Sequence, residues 1–189
     1  MRPMPEERHS PVATSRDLKV ITIPDGKDGS LPKGTTVTVT QTLGTSYTVK
    51  LEKGEKMRIR GEDGDAIGQP KLGGTTVKPA AQTVPAIVTV ANQQLRKVFD
   101  PEIPVDIVNL GLVHELTVEP KPDGGFHAKV RMGLTSPGCG MGDVLVRDVQ
   151  TALSAIEGVK SVDAQVVLFP VWNPYTMMSE AAKLKLGML

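Results

Sequence analysis

The spacing of apolar residues changes partway along this 189-residue chain. Before residue 70, short segments such as 35–40 (TTVTVT) and 56–60 (KMRIR) alternate apolar and polar residues, as strands with one buried face do. After residue 83, apolar residues recur at helical spacing, first in 87–98 and again in 145–156. A connector rich in Pro and Gly, 69–79, separates the two patterns. The chain is therefore expected to form two structural units.

The first pattern predicts a small all-β unit over residues 17–69, either barrel-like or a curled sheet. Its strand-like segments are separated by turns that contain Gly, and they lie at 20–23, 35–40, 47–51 and 56–60. Residues 1–16 are rich in Pro, Arg, Glu and Ser and offer little to bury. We therefore expect them to form a disordered tail.

The second pattern predicts an α+β unit over residues 84–189, with 70–83 as the linker. Its elements are expected in the order α-β-β-α-β-α, with the helices packed on one sheet. Pro85 opens the first helix, and Ser179 is a plausible cap for the last. A hairpin connection at 119–125 joins the first two strands of this unit.

Composition excludes several classes of protein. The formal net charge of +1 does not fit a bulk binder of nucleic acid or anionic membrane. No stretch approaches the roughly 20 apolar residues that a membrane helix needs, and the start of the chain lacks the apolar core of a signal peptide. A single cysteine rules out an intramolecular disulfide and a multi-cysteine metal cage within one chain. These features predict a cytoplasmic protein with neither nucleic acid nor membrane as partner.

The single cysteine, Cys139, lies in a glycine-rich turn with Gly138 and Gly140. The next helix is expected to begin near Gly142 or Asp143, so the backbone amides at its positive end would stabilise a thiolate. The glycines permit tight turns and close approach of a ligand to the backbone. The alternative is an unreactive cysteine buried in a structural turn.

Two polar groups of residues could assist such a thiol. The hydroxyls of Thr135 and Ser136 could hydrogen-bond a thiolate or a bound anion, or they could end the strand and cap the next helix. Segment 100–106 (DPEIPVD) contains three carboxylates and two prolines. Its carboxylates could complete a mixed oxygen–sulfur metal site, or they could be the solvated acids of an ordinary loop.

Half of the six aromatic residues lie within 169–175 (FPVWNPY). This segment predicts either a lid or docking surface, or a packed connection to the last helix. The histidines do not have the spacing of a ligand pair, although His114 and His127 lie on the two strands of the hairpin and could meet across it. We interpret them as structural or surface residues.

Together these segments resemble the iron–sulfur assembly domain shared by SufT, PaaD and eukaryotic cytosolic targeting factors. Segment 100–113 (DPEIPVDIVNLGLV) resembles its opening motif, and 133–142 (GLTSPGCGMG) resembles its cysteine loop. Segment 172–188 (WNPYTMMSEAAKLKLGM) resembles the SufT tail, and 31–41 (LPKGTTVTVTQ) resembles the SufT N-terminal extension. Three separated motifs in the right order make the resemblance specific.

The resemblance implies a non-catalytic factor that helps to mature iron–sulfur proteins alongside the Suf machinery. Its partners would be Suf scaffold or carrier proteins and iron–sulfur clients, and its cargo would be iron or an iron–sulfur cluster, held transiently. The implied cofactor-binding residues are Cys139, Thr135, Ser136, Gly138 and Gly140. The implied metal ligands are Cys139, Asp100 and Glu102. Trp172 and Tyr175 are expected to dock partners.

Several alternatives remain. The family usually has an acidic residue and two prolines before the tail tryptophan, whereas this chain has 168–172 (LFPVW), which weakens the expectation of an iron ligand or charged docking point there. One thiolate cannot hold a cluster that takes four protein ligands, so Cys139 requires a homodimer, outside ligands or a cluster carried by a partner. The chain could instead be a metal-free adaptor that brings clients to the Suf scaffold, a PaaD-like assembly factor for an oxygenase complex, or a thiol-dependent enzyme.

Overall fold

The computed structural model describes residues 10–100, 102–136 and 140–188. The chain divides into two compact units between Gly74 and Thr75, and each unit has its own hydrophobic core. The division falls within the linker expected at 70–83. The linker residues pack on different units: Leu72 lies against the N-terminal core, whereas Val77 pairs with Ile156 in the C-terminal unit.

The N-terminal unit is a six-stranded antiparallel sheet followed by a 3₁₀ helix, Gly61–Ile67. The strands lie in the spatial order β1-β4-β5-β6-β2-β3, and their bounds are β1 (Val12–Ala13), β2 (Leu18–Ile23), β3 (Asp28–Leu31), β4 (Thr36–Leu43), β5 (Ser46–Leu51) and β6 (Lys56–Arg60). The Thr/Val alternation of β4 buries Val37 and Val39 against Val49 and Ile59 in one core.

The barrel-like closure predicted for this unit is wrong. β1 and β3 stand at opposite ends of the sheet, and among the described residues they are not paired with each other. Both strands are short and were absent from the predicted set. β1 lies within residues 1–16, which were predicted to be a disordered tail. The chain is ordered there because the buried Thr14, next to β1, donates from its hydroxyl to the Pro32 carbonyl, 2.8 Å away. Residues 1–9 of that tail lie outside the described residues.

The C-terminal unit is α+β, and its elements follow the predicted order. They are α1 (Val84–Leu95), β7 (Val113–Pro120), β8 (Phe126–Met132), α2 (Gly142–Ser154), β9 (Val159–Val166), α3 (Pro174–Met177) and α4 (Glu180–Lys185). The last predicted helix corresponds to α4, and α3 is an additional short helix that precedes it. The predicted cap of α4 is confirmed, since the Ser179 hydroxyl accepts a hydrogen bond from the Ala182 amide.

The sheet of this unit has the order β7-β8-β9, antiparallel and then parallel. Alternate residues of β8 are buried, namely Phe126, Ala128, Val130 and Met132. α1 and α2 pack against each other and on the sheet, which places this core on one sheet face. None of the helices in the described part of the chain has the length and apolarity that a membrane crossing requires.

Candidate functional site

Three segments singled out in the sequence reach the same end of the C-terminal sheet. Val113 at the start of β7 lies opposite Met132 at the end of β8, and Met132 also pairs with Val166 at the end of β9. The 96–112 loop, which precedes β7, therefore lies beside the cysteine loop, which follows β8. The segment after β9, which leads to Trp172, starts from the same end of the sheet. The topology alone brings these segments together, although they are distant in sequence.

Asp100 fastens two of these segments together. It is buried, and its Oδ1 accepts hydrogen bonds from the amides of Glu102 (2.8 Å) and Ile103 (2.9 Å). Its Oδ2 accepts a hydrogen bond from the Thr135 hydroxyl at 3.2 Å. A carboxylate has about four acceptor positions, and three of them are engaged here. The structure thus gives Asp100 a holding role at the entry to the cysteine loop.

Both ends of the cysteine loop are anchored in the described chain. Thr135 is half-buried at the entry, where Asp100 holds it. At the exit, Met141 is fully buried and α2 begins at Gly142, as predicted. Cys139 and Gly138 lie outside the described residues, so their roles stay predictions.

The remaining predicted ligands are accessible to solvent. Glu102 is exposed two residues beyond the buried Asp100, and Ser136 and Gly140 are exposed on the two sides of the undescribed part of the cysteine loop. Within residues 10–100, 102–136 and 140–188, no three His, Cys, Asp or Glu side chains are grouped so as to hold a metal ion. Cys139 lies outside those residues.

A second buried carboxylate, Asp106, organises the same loop and was not assigned a role from the sequence. Its Oδ1 accepts from the Asn109 amide (2.9 Å), and its Oδ2 accepts from the Asn109 side chain (2.7 Å). The carbonyl and side-chain oxygens of Asn109 then accept from the Ser179 amide and hydroxyl, each at 2.9 Å. The Asp-x-x-Asn spacing was a signal for the local turn, but nothing in the sequence pointed to a contact with Ser179.

The two predicted docking residues have different environments. The Trp172 indole donates to the Leu110 carbonyl at 2.7 Å, and its half-buried side chain packs on the C-terminal core. Tyr175 is 72% exposed. Between β9 and Trp172, Leu168, Phe169 and Val171 are exposed and line part of an apolar cavity of about 230 Å³. The docking role of this segment stays a prediction.

The histidines do not meet across the hairpin. His127 lies opposite Glu119, and its Nδ1 is 2.8 Å from the Ser161 hydroxyl. His114 lies at the other end of the hairpin, where its Nε2 is buried beside Gly133 and has no hydrogen-bond partner among the described residues. Because the register separates the two rings, they do not form a metal-binding pair.

Comparison with known proteins identifies the family. The family model described as iron–sulfur cluster assembly protein matches residues 91–166. An Fe-S protein maturation auxiliary factor of Porphyromonas gingivalis is 41% identical over 97 residues, which are 51% of this chain and 88% of that protein. The Fe-S protein maturation auxiliary factor SufT of Staphylococcus aureus is 42% identical over 90 residues, which are 48% of this chain and 97% of that protein. The chain belongs to the SufT family.

Membership of the SufT family confirms the predicted role in the maturation of iron–sulfur proteins. The matched segment, 91–166, contains both the 96–112 loop and the cysteine loop and ends with β9. The N-terminal unit lies outside that segment. Among solved structures, a DUF59 domain from Bacillus anthracis is 36% identical and covers 56% of this chain and 95% of its own, with a TM-score of 0.47.

Proposed function

We propose that this SufT-family protein handles iron or an iron–sulfur cluster as cargo, with Cys139 as a labile ligand or transfer thiol. The observation that supports this most strongly is the hydrogen bond between Asp100 and Thr135, which holds the entry to the cysteine loop. Met141, fully buried, holds its exit. A loop held at both ends can present a reactive residue in a restricted geometry. The protein transfers this cargo without catalytic turnover, and it acts in the cytoplasm.

The side chains present decide which ligands this chain can contribute. Glu102 is exposed and offers a carboxylate close to the loop, whereas most acceptor positions of Asp100 are already engaged. A cluster normally takes four protein ligands, and this chain has one cysteine. We infer that the other ligands come from outside the protomer: from a second copy of the chain, or from a Suf scaffold, carrier or client protein.

Anaerobic reconstitution with ferrous iron and sulfide tests the proposal. Wild-type protein is compared with Cys139→Ser, Glu102→Gln and, as a matched surface control, Ser154→Ala on α2. Iron and sulfide content and visible absorbance are measured after desalting. We expect Cys139→Ser to lose the bound iron, Glu102→Gln to retain less of it than wild type, and Ser154→Ala to behave as wild type.

Rescue of a client enzyme in cells that lack the wild-type protein provides a second measurement. Cys139→Ser should fail to restore client activity at equal protein abundance. If the wild-type and Cys139→Ser proteins take up equal iron and restore the client equally, the thiol has no role in cargo handling and the proposal is wrong.

A metal-free adaptor is the second candidate, and one observation favours it. The large apolar side chains that are most exposed in the described chain all come from 168–184: Leu168, Phe169, Val171, Tyr175 and Leu184. Exposed apolar side chains concentrated in one segment are typical of a contact surface for another protein. In this case segment 168–184 would bring iron–sulfur clients to the Suf scaffold.

Substitutions in the exposed apolar segment, 168–184, discriminate between the two candidates. Phe169→Ser and Tyr175→Ala alter exposed side chains, so they test docking more cleanly than a change at Trp172, which is anchored to the fold. If iron–sulfur proteins still co-purify with Cys139→Ser but no longer co-purify with Phe169→Ser or Tyr175→Ala, the adaptor is supported. Loss with Cys139→Ser alone favours cargo handling.

A further inference from the structure

The tail, defined as residues 172–188, is bonded to the loop between α1 and β7 at three points. The Trp172 indole donates to the Leu110 carbonyl at 2.7 Å. Ser179, the cap of α4, donates through its amide and hydroxyl to the two oxygens of Asn109. Lys185 then donates from Nζ to the Pro104 carbonyl at 2.7 Å. The contacts extend over residues 172–185 of the tail, so most of the tail lies along the loop.

The closest approach in this interface is at Gly111, which has a φ of +73°. A Cβ at this position would lie 2.1 Å from the Met177 carbonyl oxygen and 2.6 Å from its carbonyl carbon. Real Cβ atoms do not approach backbone so closely, so only glycine lets the tail dock at this distance. The loop and tail are therefore fitted to each other backbone to backbone.

The hydrogen bonds continue from the tail towards the cysteine loop. Asn109, held by Ser179, donates twice to the buried Asp106. Asp106 lies opposite Phe99 in an antiparallel backbone bridge, in which the Asp100 amide donates to the Val105 carbonyl at 3.3 Å. Asp100 in turn accepts from Thr135. Side-chain hydrogen bonds and one backbone bridge thus connect the cap of α4 to the entry of the cysteine loop.

We propose that the tail is a positioning strap, whose docking through Ser179 sets the position of Thr135 and thereby the reactivity of the thiol that follows. The inference rests on the proposed function for its biological meaning, but not for its test. Ser179, Asn109 and Asp106 are positioning residues in this scheme. They act through Asp100 and Thr135 on a thiol more than 25 positions away from each of them in the sequence.

The alkylation rate of the single cysteine by iodoacetamide, measured at one fixed pH, provides the main readout. Coupling energies carried by such networks predict that Ser179→Ala changes this rate roughly two- to thirtyfold. The Thr135 amide signal should shift in the NMR spectrum of the same variant. Ser179→Thr, which keeps the hydroxyl cap, should restore both, and Ser154→Ala should alter neither.

The emission of Trp172, the single tryptophan, shows whether the tail stays docked in each variant. If Ser179→Ala releases the tail, the rate must still change, because the strap is then absent altogether. An alkylation rate within twofold of wild type, or an unmoved Thr135 signal, overturns the proposal. These outcomes do not depend on iron binding, so failure of the cargo role would be seen separately in the reconstitution experiment.

A double variant tests whether Ser179 and Thr135 act in one series. Thr135→Val removes the hydroxyl that donates to Asp100. If both residues act through the same connection, Ser179→Ala with Thr135→Val should alter the rate no more than Thr135→Val does. Effects that multiply would mean that the tail reaches the thiol by another route, and the series from Ser179 to Thr135 would be wrong.

Discussion

The two units of the chain both bury carboxylates but satisfy them with different partners. In the N-terminal unit, Asp63 on the 3₁₀ helix pairs with Arg16 at 2.8 Å and Arg60 at 3.3 Å. In the C-terminal unit, Asp100 and Asp106 accept from backbone amides, a hydroxyl and a carboxamide. The first arrangement joins secondary-structure elements by charge, whereas the second fixes the path of a loop.

This difference decides what the loss of a carboxylate leaves behind. The Arg16 and Arg60 side chains are 44% and 61% exposed, so water can solvate them when Asp63 is removed. The partners of Asp100 include two backbone amides of the loop, which cannot swing away into water as a long arginine side chain can. The C-terminal carboxylates should therefore be the less replaceable group, and they lie beside the candidate site.

The largest effect on stability should come from adding a side chain at Gly111, where the 96–112 loop contacts the tail. Gly111→Ala places a Cβ against the Met177 backbone at a positive φ. Left-handed backbone costs roughly 1–2 kcal/mol for a residue with a Cβ, and forced overpacking adds about 1–3 kcal/mol. We expect a loss of about 2–5 kcal/mol in the free energy of unfolding, measured by urea denaturation followed through Trp172 emission.

Gly124→Ala is the matched control, because Gly124 has a φ of +87° and open space where a Cβ would stand. It should show the backbone cost alone, about 1–2 kcal/mol. Equal losses for the two variants would mean that the tail does not press on Gly111, and the backbone-to-backbone fit would have to be abandoned.

The next effect compares the two kinds of buried carboxylate directly. Asp100→Ala leaves two amides and a hydroxyl unsatisfied, at about 1–3 kcal/mol for each group that stays buried, so we expect a loss of about 2–4 kcal/mol. Asp63→Ala should cost about 1 kcal/mol, since its partners are largely exposed. Native-state hydrogen exchange at β8 and β5 reports each unit separately. A larger loss for Asp63→Ala would reverse the comparison.

Local patterns predicted much of this architecture. The Thr/Val alternation of β4 and the helical spacing of α1 and α2 predicted real elements, because each buries one face of its own segment. The sequence did not predict β1 and β3. Strands this short contain too few alternating residues, and their pairing partners decide whether they form.

The sequence selected Asp100 and Thr135 through two separate motifs, and the structure joins these residues, 35 positions apart, by a hydrogen bond. Their roles towards a metal or cofactor stay predictions. Asn109 was overlooked, because its importance comes from Ser179, 70 residues away, and no local spacing encodes such a contact. Trp172 was expected to contact a partner protein. Its indole instead donates a hydrogen bond to the Leu110 carbonyl of its own unit, as partly buried tryptophans usually do.

A moderate effect is expected in the N-terminal unit at alkaline pH. Burial raises the pKa of the Tyr47 hydroxyl above its ordinary value of 10.0, and this hydroxyl donates to the Pro70 carbonyl at 2.7 Å. The unfolded chain therefore loses the phenolic proton at a lower pH than the folded chain. The stabilisation is complete below about pH 10 and is lost as the pH rises through the folded pKa.

Tyr47→Phe tests this point. The variant should cost about 1 kcal/mol at pH 8, the usual contribution of one hydrogen bond, and should remove the extra loss of stability above pH 10. The measurement is the urea midpoint of the N-terminal unit, read from backbone NMR signals of β5. Tyr175→Phe, at an exposed ring, is the control. Parallel alkaline losses in wild type and Tyr47→Phe would contradict the assignment.

The smallest effect should be at Asp65, which tests how far charge pairing supports the N-terminal unit. Burial acts to raise the pKa of Asp65, but the hydrogen bond from Arg16 and the charge of Lys71 outweigh it, so the pKa lies below its ordinary value of 3.8. The folded state then holds this proton less tightly than the unfolded state. Its contribution is present above about pH 4 and is lost as the pH falls through the folded pKa.

Asp65→Asn should therefore weaken the acid dependence of the N-terminal unit and leave that of the C-terminal unit unchanged. Because Asp65 is about half exposed, added salt should shrink the difference between wild type and variant, as it does for surface ion pairs. Hydrogen exchange at β5, compared at low and high salt below pH 4, measures it. If the variant instead altered β8, charge pairing would support both units, and the contrast between paired and loop-holding carboxylates would fail.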